Sequence, residues 1–467
     1  MDGPRCLARS AGALLSTSIS IGALLAIPAA ASAETVEQTY TVGPVSVGGY
    51  EVAQDIRGAP DPNVDGFITK MEVDVVDGEG EPIPISRLML HHIVFVNVNE
   101  PDATCDSLTG WDDRPMPSGF ARQRFYAAGE ERAKLALPEG YGYPIEATDS
   151  WAVLYMLMNH RAVTDQAYIQ YKVTVDDDPA LEPVEPYWLD VQNCHADPIY
   201  NVPGDGAAGS THVRSEDFTI PRAGRLVAAG GHVHGGARKL TLTQPDCGDR
   251  KVGESVPLWG RKDHPFYKVR PILHEPGPIG MSAFDTETGI PISKDSRLRL
   301  SSRYDNSLPH ARVMGIMIAY VAHDPSVRQR CGPLPHDVRT LEPSGPGRRG
   351  PVPFEVPLTG LDENGDAVEI LKPPGDLRRM PSGSTIDVGN FYFSHPNVSV
   401  RRGARLSWRF GAADLHNVTL ANGPRAIGSP NLDDGREFSQ RLRASGTYRL
   451  FCSLHPVTMA ERVVVRR

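Results

Sequence analysis

Segments whose apolar residues repeat at helical spacing are scarce in this sequence, which excludes a helical bundle. The chain instead has short runs such as TYTVGPVSV, FITKMEVDVV, HHIVFVNV and AYIQYKVTV, rich in Val, Ile, Thr and aromatic residues and bounded by turn residues. Its 45 glycines and 41 prolines fit frequent turns. This pattern predicts an all-β, mostly antiparallel protein built of sandwiches. The one exception is ARQRFYAAGEERAKLAL, residues 121–137, which predicts a helix.

A basic stripe and a long apolar run after residue 33 are also missing. The formal net charge is −9 and charges of both signs are mixed, so we expect no nucleic-acid partner. Residues 1–33 carry Arg5 and Arg9, then an apolar run, then Ala-Ser-Ala, the pattern of a signal peptide cleaved after Ala33. The remaining 434 residues (467 minus 33) are therefore expected to be secreted or periplasmic, without stable membrane insertion.

Cysteine is scarce, and after the predicted cleavage its count is odd: Cys105, Cys194, Cys247, Cys331 and Cys452. Four of the five can form two disulfides in an exported protein, in any of three connectivities. The fifth is then available as a metal ligand.

The C-terminal loop CSLHPVTM supplies a candidate for that role. Cys452, His455 and Met459 lie on this one loop, and His416 ends an earlier strand. A thiolate and two imidazoles, with a weak thioether on the axis, form a blue-copper site. The set resembles the cupredoxin family, which implies a Greek-key sandwich over residues 384–467 and a copper ion held by these four side chains.

Residues 451 and 453 beside the thiolate are Phe and Ser, and the chain has a single His-x-His. Both observations argue against a laccase or nitrite-reductase arrangement, in which a histidine beside the cysteine leads to another copper. An electron leaving this copper would cross between domains without a shared ligand dipeptide.

Further imidazoles and a thioether lie in or beside predicted strands of the first two thirds. These candidate ligands are His91, His92, His160, His232, His234 and Met314. Taken singly, each is as easily a core or surface residue; adjacent strand residues face opposite ways unless a bulge turns one. Imidazole and thioether ligands both tolerate Cu(I).

The order His-His, His, His-x-His, Met resembles the copper type II, ascorbate-dependent monooxygenases, the family of the peptidylglycine α-hydroxylating and dopamine β-monooxygenases. The resemblance implies two tandem jelly-roll-like β-sandwich domains, here residues 34–183 and 184–338. It implies an electron-transferring copper on the first three histidines and an oxygen-activating copper on the last two histidines and the methionine. Residues 339–383, dense in Pro and Gly, then form a linker or a wrap over the preceding domain.

One departure from that family bears on the substrate. The residues that grip a peptide carboxylate there are replaced here by Gly230, Ile316 and Ile318. We therefore expect a small organic substrate and a more apolar pocket than a glycine-extended peptide needs. The other histidines have no paired spacing and are expected to be structural or exposed: His195, His212, His264, His274, His310, His323, His336 and His395.

These observations predict an exported copper monooxygenase that hydroxylates a C–H bond with O2. About three coppers per chain are expected, two in the core and one type 1. The blue-copper domain would relay electrons from an external donor, an ascorbate-like reductant or a redox protein. The alternative is a non-catalytic copper-binding or electron-transfer protein. Zinc at the histidines is disfavoured, because a Met ligand does not suit it.

Overall fold

Strands dominate the computed structural model, which describes residues 34–272 and 274–467. The predicted leader lies outside these residues. The first third contains β1 (Thr35–Val47), β2 (Val52–Ala59), β3 (Gly66–Val76), β4 (Leu88–Pro101), β5 (Arg122–Gly129), β6 (Leu135–Ala136), β7 (Tyr141–Ile145), β8 (Trp151–Asn159) and β9 (Asp165–Asp176). The middle contains β10 (Glu182–Asp190), β11 (Tyr200–Val202), β12 (Thr211–Ile220), β13 (Gly224–Val233), β14 (Ala237–Gln244), β15 (Arg250–Ser255), β16 (Pro257–Trp259), β17 (Gly280–Met281), β18 (Ala283–Ile292), β19 (Ser296–Asp305), β20 (His310–Val313) and β21 (Gly315–His323).

The rest of the chain is also built of strands. It contains β22 (Arg339–Leu341), β23 (Arg348–Arg349), β24 (Thr359–Leu361), β25 (Ala367–Glu369), β26 (Arg378–Arg379), β27 (Ser384–Gly389), β28 (Tyr392–Phe393), β29 (Asn397–Arg401), β30 (Arg405–Phe410), β31 (Thr419–Asn422), β32 (Glu437–Arg441), β33 (Gly446–Phe451) and β34 (Ala460–Arg466). In the described part of the chain the helices are two short 3-10 turns, Pro245–Cys247 and Pro265–Lys268. The predicted all-β class is thus confirmed. Over the same residues, no helix is both long and apolar enough to cross a membrane.

Two four-stranded sheets pack on one long sheet. The long sheet runs β1-β9-β3-β7-β10-β21-β13-β18-β22, and β7 and β10 pair in parallel where its two halves meet. The sheet β2-β8-β4-β5 covers the first half, and β12-β19-β14-β15 covers the second. A third sandwich follows, with sheets β26-β29-β34-β33-β31 and β28-β27-β30-β32.

The helix expected over residues 121–137 is wrong: the segment forms β5 and β6. Phe125 and Tyr126 are both buried against Phe95 of β4, with which β5 pairs. Burial in the sheet outweighs the helix propensity of the Ala, Glu and Lys residues.

Two disulfides join Cys105 to Cys194 and Cys247 to Cys331, which selects one of the three connectivities. Cys452 remains a free, buried thiol, as expected for a metal ligand.

Residues 339–383 contribute to the packing between the domains. Strand β22 pairs with β18, and β23 pairs with β16. Val356 and Ile370 pack in one apolar cluster with Met89 of β4 and Phe451 of β33. The outer face of the β2-β8-β4-β5 sheet is therefore covered by this segment and by the C-terminal sandwich. Beside this covered face lie the candidate core ligands His91 and His92 of β4.

Candidate metal centres

The predicted C-terminal ligands converge at one end of the last sandwich. Cys452 follows β33, His455 and Met459 lie on the loop to β34, and His416 precedes β31. The Cys452 Sγ atom lies 3.8 Å from His416 Nδ1 and 3.7 Å from His455 Nδ1. All three ligand atoms lie within 4.8 Å of one another, and Met459 is buried in the same core. This is the donor set of a type 1 copper.

Hydrogen bonds hold this loop in place around Asn417. The Asn417 amide N–H donates to Cys452 Sγ at 3.4 Å, and its side chain donates to Asn431 and Ser453, each at 2.8 Å. The Met459 carbonyl accepts from the Cys452 amide at 3.1 Å. A rigid frame of this kind keeps the ligands in position when the charge of the ion changes. Asn417 is fully buried, so its Asn-Val-Thr sequon is not an accessible glycosylation site.

Burial disfavours the charged forms of the ligand side chains at this centre. It raises the pKa of the Cys452 thiol and lowers that of His416 to about 4, the latter with help from the neighbouring His455. The two imidazoles are thus neutral and ready to bind a cation at neutral pH. Phe391, half exposed, lies edge-on to His455 with ring centroids 4.8 Å apart.

A β-bulge brings His91 and His92 together. The pairing of β4 with β8 shifts register between Leu90 and His92, so the two imidazoles do not point to opposite faces. Their ring centroids are 5.2 Å apart. Such a bulge is what allows two adjacent strand residues, His91 and His92, to face the same site.

The His-x-His pair joins the same group. The His232 and His234 rings lie 5.2 Å apart, and the His234 ring lies 4.9 Å from that of His91. His91 and His92 come from the first sandwich, while His232 and His234 come from the end of β13 in the second. Four of the five histidines of the two predicted copper sites, His91, His92, His232 and His234, therefore meet at the junction of the sandwiches.

His160 and Met314 are placed differently. His160 follows β8, where its Nδ1 atom bonds the Ile85 carbonyl at 3.2 Å and its ring lies against Phe266. Met314 is buried between β20 and β21, and lines cavities that also contain His92 and His232 or His234.

Several of these imidazoles have one nitrogen fixed and the other unsatisfied. His232 Nδ1 bonds Glu131 at 3.0 Å, and His234 Nδ1 bonds the Arg312 carbonyl at 3.0 Å. The buried imidazole nitrogens without a hydrogen-bond partner among the described residues are His92 Nδ1, His160 Nε2, His232 Nε2, His234 Nε2, His274 Nδ1 and His310 Nε2. One anchored nitrogen and one free nitrogen is the arrangement of a metal-binding histidine, so these residues fit a metal ion.

The charges around the cluster also favour a cation. Burial lowers the pKa of His91, and lowers those of His92 and His234 further. Burial also opposes protonation of His232, but the Glu131 carboxylate outweighs it and raises that pKa. Glu130 keeps a lowered pKa despite its burial because His274 and His91 bond it. Neutral imidazoles backed by buried carboxylates suit a copper ion.

Sequence reasoning missed the carboxylates and two histidines near this site. Glu130 and Glu131 lie in the segment predicted to be a helix, but they follow β5 and face the imidazoles. His274 and His310, expected to be structural or exposed, are largely or fully buried, and His310 Nδ1 bonds Glu275 at 2.7 Å. The signal available was the His274–Glu275 pair, which lies between two prolines.

An apolar cavity of about 100 Å³ opens beside the cluster. His92, His232 and Met314 lie along it, and its other lining residues include Tyr126, Trp188, Gly230, Phe284, Ile316 and Ile318. The three positions that replace the peptide-carboxylate clamp thus all face this cavity. Of the glycines beside the His-x-His pair, Gly230 has room for a Cβ atom, which would meet only Ala283 at 3.7 Å, whereas the other three are packed against protein side chains.

A second cavity, of about 90 Å³, lies between the histidine cluster and the C-terminal sandwich. His91, His234 and Met314 line one side, and Phe451 and Ser453, the neighbours of Cys452, line the other.

Arg312 bridges the two centres. Its carbonyl accepts from His234, and its guanidinium donates to Ser429 and to Asn431 at 3.0 Å. Asn431 in turn accepts from Asn417, whose amide donates to Cys452 Sγ. Arg312 holds a left-handed backbone conformation, φ +53°, which a non-glycine residue keeps only when its surroundings impose it.

Comparisons with known proteins bear on the C-terminal sandwich. No protein-family model matches the chain. It is 31% identical over 93 residues to amicyanin-alpha of Methylorubrum extorquens, which is 19% of this chain and 77% of that protein. Among solved structures, a purple cupredoxin from Nitrosopumilus maritimus is 23% identical, covering 18% of this chain and 99% of the other with a TM-score of 0.17. An oxidised amicyanin mutant is 26% identical, covering 18% and 80% with the same TM-score. Through its C-terminal domain, the chain belongs to the cupredoxin family of electron-transfer proteins, whose amicyanin-like members imply a type 1 copper.

Proposed function

We propose that this chain is an exported copper-dependent monooxygenase in which the cupredoxin domain passes electrons to copper in the histidine cluster. The observation that carries the proposal is the set of buried imidazole nitrogens that have no partner among the described residues, of which those of His232 and His234 lie on rings anchored through the other nitrogen. Copper bound there supplies one-electron redox chemistry with O2. The two disulfides are compatible with an extracellular or periplasmic location.

The overall reaction fixes what the chain must provide. Hydroxylation converts R–H, O2, two electrons and two protons into R–OH and water, so an external donor, an ascorbate-like reductant or a redox protein, must supply both electrons. The cupredoxin domain receives them at the half-exposed edge by Phe391. From Cys452, a chain of hydrogen bonds through Asn417, Asn431 and Arg312 leads to His234.

The substrate is a small, largely apolar molecule. It occupies the cavity of about 100 Å³, where Gly230, Ile316 and Ile318 offer no charged group to a carboxylate. Apolar cavities of somewhat larger volume hold a benzene-sized molecule. Of the residues that we assign to oxygen activation, His232 and Met314 line this cavity, and His234 lies next to His232.

Metal analysis and oxygen uptake test this proposal. The copper-loaded protein should hold about three coppers per chain, two more than the cupredoxin site accounts for. With ascorbate as reductant, oxygen uptake should rise when small apolar compounds are added, with the hydroxylated product formed in equal amount. One copper per chain would refute the proposal.

The alternative is a non-catalytic electron-transfer protein. It is favoured by the missing carboxylate clamp and by relatives that match only the cupredoxin part of the chain. Such a protein would take up no oxygen in response to any of the small apolar compounds, even with its copper sites full. Substrate-dependent uptake excludes it.

A further inference from the structure

We propose that the core copper ions share one joint centre between the two sandwiches, and that His274 is one of its ligands. The inference rests on the proposed function, since it assumes that the core binds copper. A joint centre differs from two separate sites, one in each sandwich, in its ligand set and in the distance between the two ions.

His274 has the geometry of a ligand. Its Nε2 atom donates to Glu130 Oε1 at 2.8 Å, while its Nδ1 atom is buried without a hydrogen-bond partner among the described residues. Its ring lies 4.9 Å from that of His91 and 6.0 Å from that of Phe266. With one nitrogen anchored and the other free, His274 presents Nδ1 to a metal ion.

The neighbouring imidazoles come from both sandwiches and lie at one spacing. The His91 ring is 5.2 Å from His92, 4.9 Å from His234 and 4.9 Å from His274. His91 is thus the common neighbour of one residue from its own strand and two from the second sandwich. Separate sites in separate domains would keep the two groups of histidines apart.

Two consecutive carboxylates position this group. Glu130 accepts from His91 at 3.2 Å and from His274 at 2.8 Å, and the Gly277 amide donates to its other oxygen at 2.7 Å. Glu131 accepts from His232 at 3.0 Å. One dipeptide at the end of β5 therefore orients histidines of both sandwiches, which a joint centre requires. We assign both glutamates as positioning residues.

The number of ligands suits more than one ion. The Met314 thioether and five imidazoles are enough for two copper ions with three protein ligands each, with positions left open for O2. The five imidazoles are those of His91, His92, His232, His234 and His274. A joint centre adjoins both cavities, because His92, His232 and Met314 line the apolar one and His91, His234 and His274 line the second.

The test uses the full chain with Cys452→Ala, which removes the blue copper and leaves only core copper. In this background, the copper content and the paramagnetic spectrum of the copper(II) protein are compared with and without His274→Gln. The control is His323→Gln, because His323 is exposed at the far end of β21. Folding is checked by placing His274→Gln in the chain with Cys452 intact, where the blue absorption must persist.

We expect the parent protein to show magnetic interaction between neighbouring copper(II) ions. His274→Gln should change that signal and weaken Cu(I) binding at least about tenfold, measured by competition with a chromophoric chelator. Glu130→Gln should keep the copper content but weaken binding by about ten- to a hundredfold. His323→Gln should change neither quantity.

Two results would overturn the inference, and they differ from failure of the proposed function. Isolated, non-interacting copper signals would show separate sites. An unchanged spectrum and affinity in His274→Gln, in a protein whose core still binds copper, would show that His274 is not a ligand. Absence of core copper from the Cys452→Ala parent itself would instead remove the proposed function.

Discussion

At the scale of single residues, we propose contrasting roles for two sulfur ligands, Cys452 and Met314. Cys452→Ala should abolish the blue absorption, because the charge transfer from thiolate to copper needs the sulfur. It should leave the core copper bound, because the two centres share no ligand. Copper analysis and visible spectroscopy check both points; loss of all copper would contradict the assignment of ligands to two modules.

Met314→Leu should have the opposite effect. Leucine conserves the volume of this buried side chain, so we expect stability to change by less than about 1.5 kcal/mol. The blue absorption should persist, whereas oxygen-dependent hydroxylation should fall because the thioether that stabilises reduced copper is gone. Product formation under a chemical reductant measures this, and unchanged turnover would exclude Met314 from the reacting site.

The residues of the cupredoxin site could be predicted from sequence because three of its four ligands lie on one loop. The core was harder to assign. His91 and His92 needed a bulge, and the two histidine pairs meet only because the sandwiches dock. Glu130 lies in the segment predicted to be a helix. Its burial depends on tertiary packing, which local helix propensity does not describe.

At the scale of elements, two adjacent glycines of β13 differ in the space available for a side chain. A Cβ atom on Gly231 would lie 2.4 Å from Leu240 Cδ1 and 3.2 Å from the Ile316 carbonyl, whereas one on Gly230 would meet only Ala283 at 3.7 Å. Gly231→Ala should therefore lower the free energy of unfolding by about 1–3 kcal/mol. Denaturant titration measures this value.

Gly230→Ala is the matched variant in the same strand. It should leave stability nearly unchanged but narrow the apolar cavity, so that KM rises for the larger members of a substrate series and stays constant for the smaller ones. Equal effects of Gly230→Ala and Gly231→Ala on stability would contradict the placement of the cavity on one side of β13.

At the scale of the whole molecule, Arg312 connects the domains. Arg312→Lys keeps the positive charge near Asp197 but loses the planar contacts to Ser429 and Asn431. We expect electron transfer from the blue copper to the core to slow while both centres keep their copper. Each lost charged hydrogen bond should cost about 1.5–3 kcal/mol of stability. An unchanged transfer rate would show that electrons take another route.

The most direct test of the account follows an electron from the cupredoxin domain into the core. In the fully copper-loaded, oxidised chain, a fast reduction pulse should first bleach the blue absorption. The absorption should then recover at a rate independent of protein concentration, while the paramagnetic spectrum of the core copper changes to the same extent. A blue copper that stays bleached, or that recovers only at a concentration-dependent rate, would contradict an internal relay between the two centres.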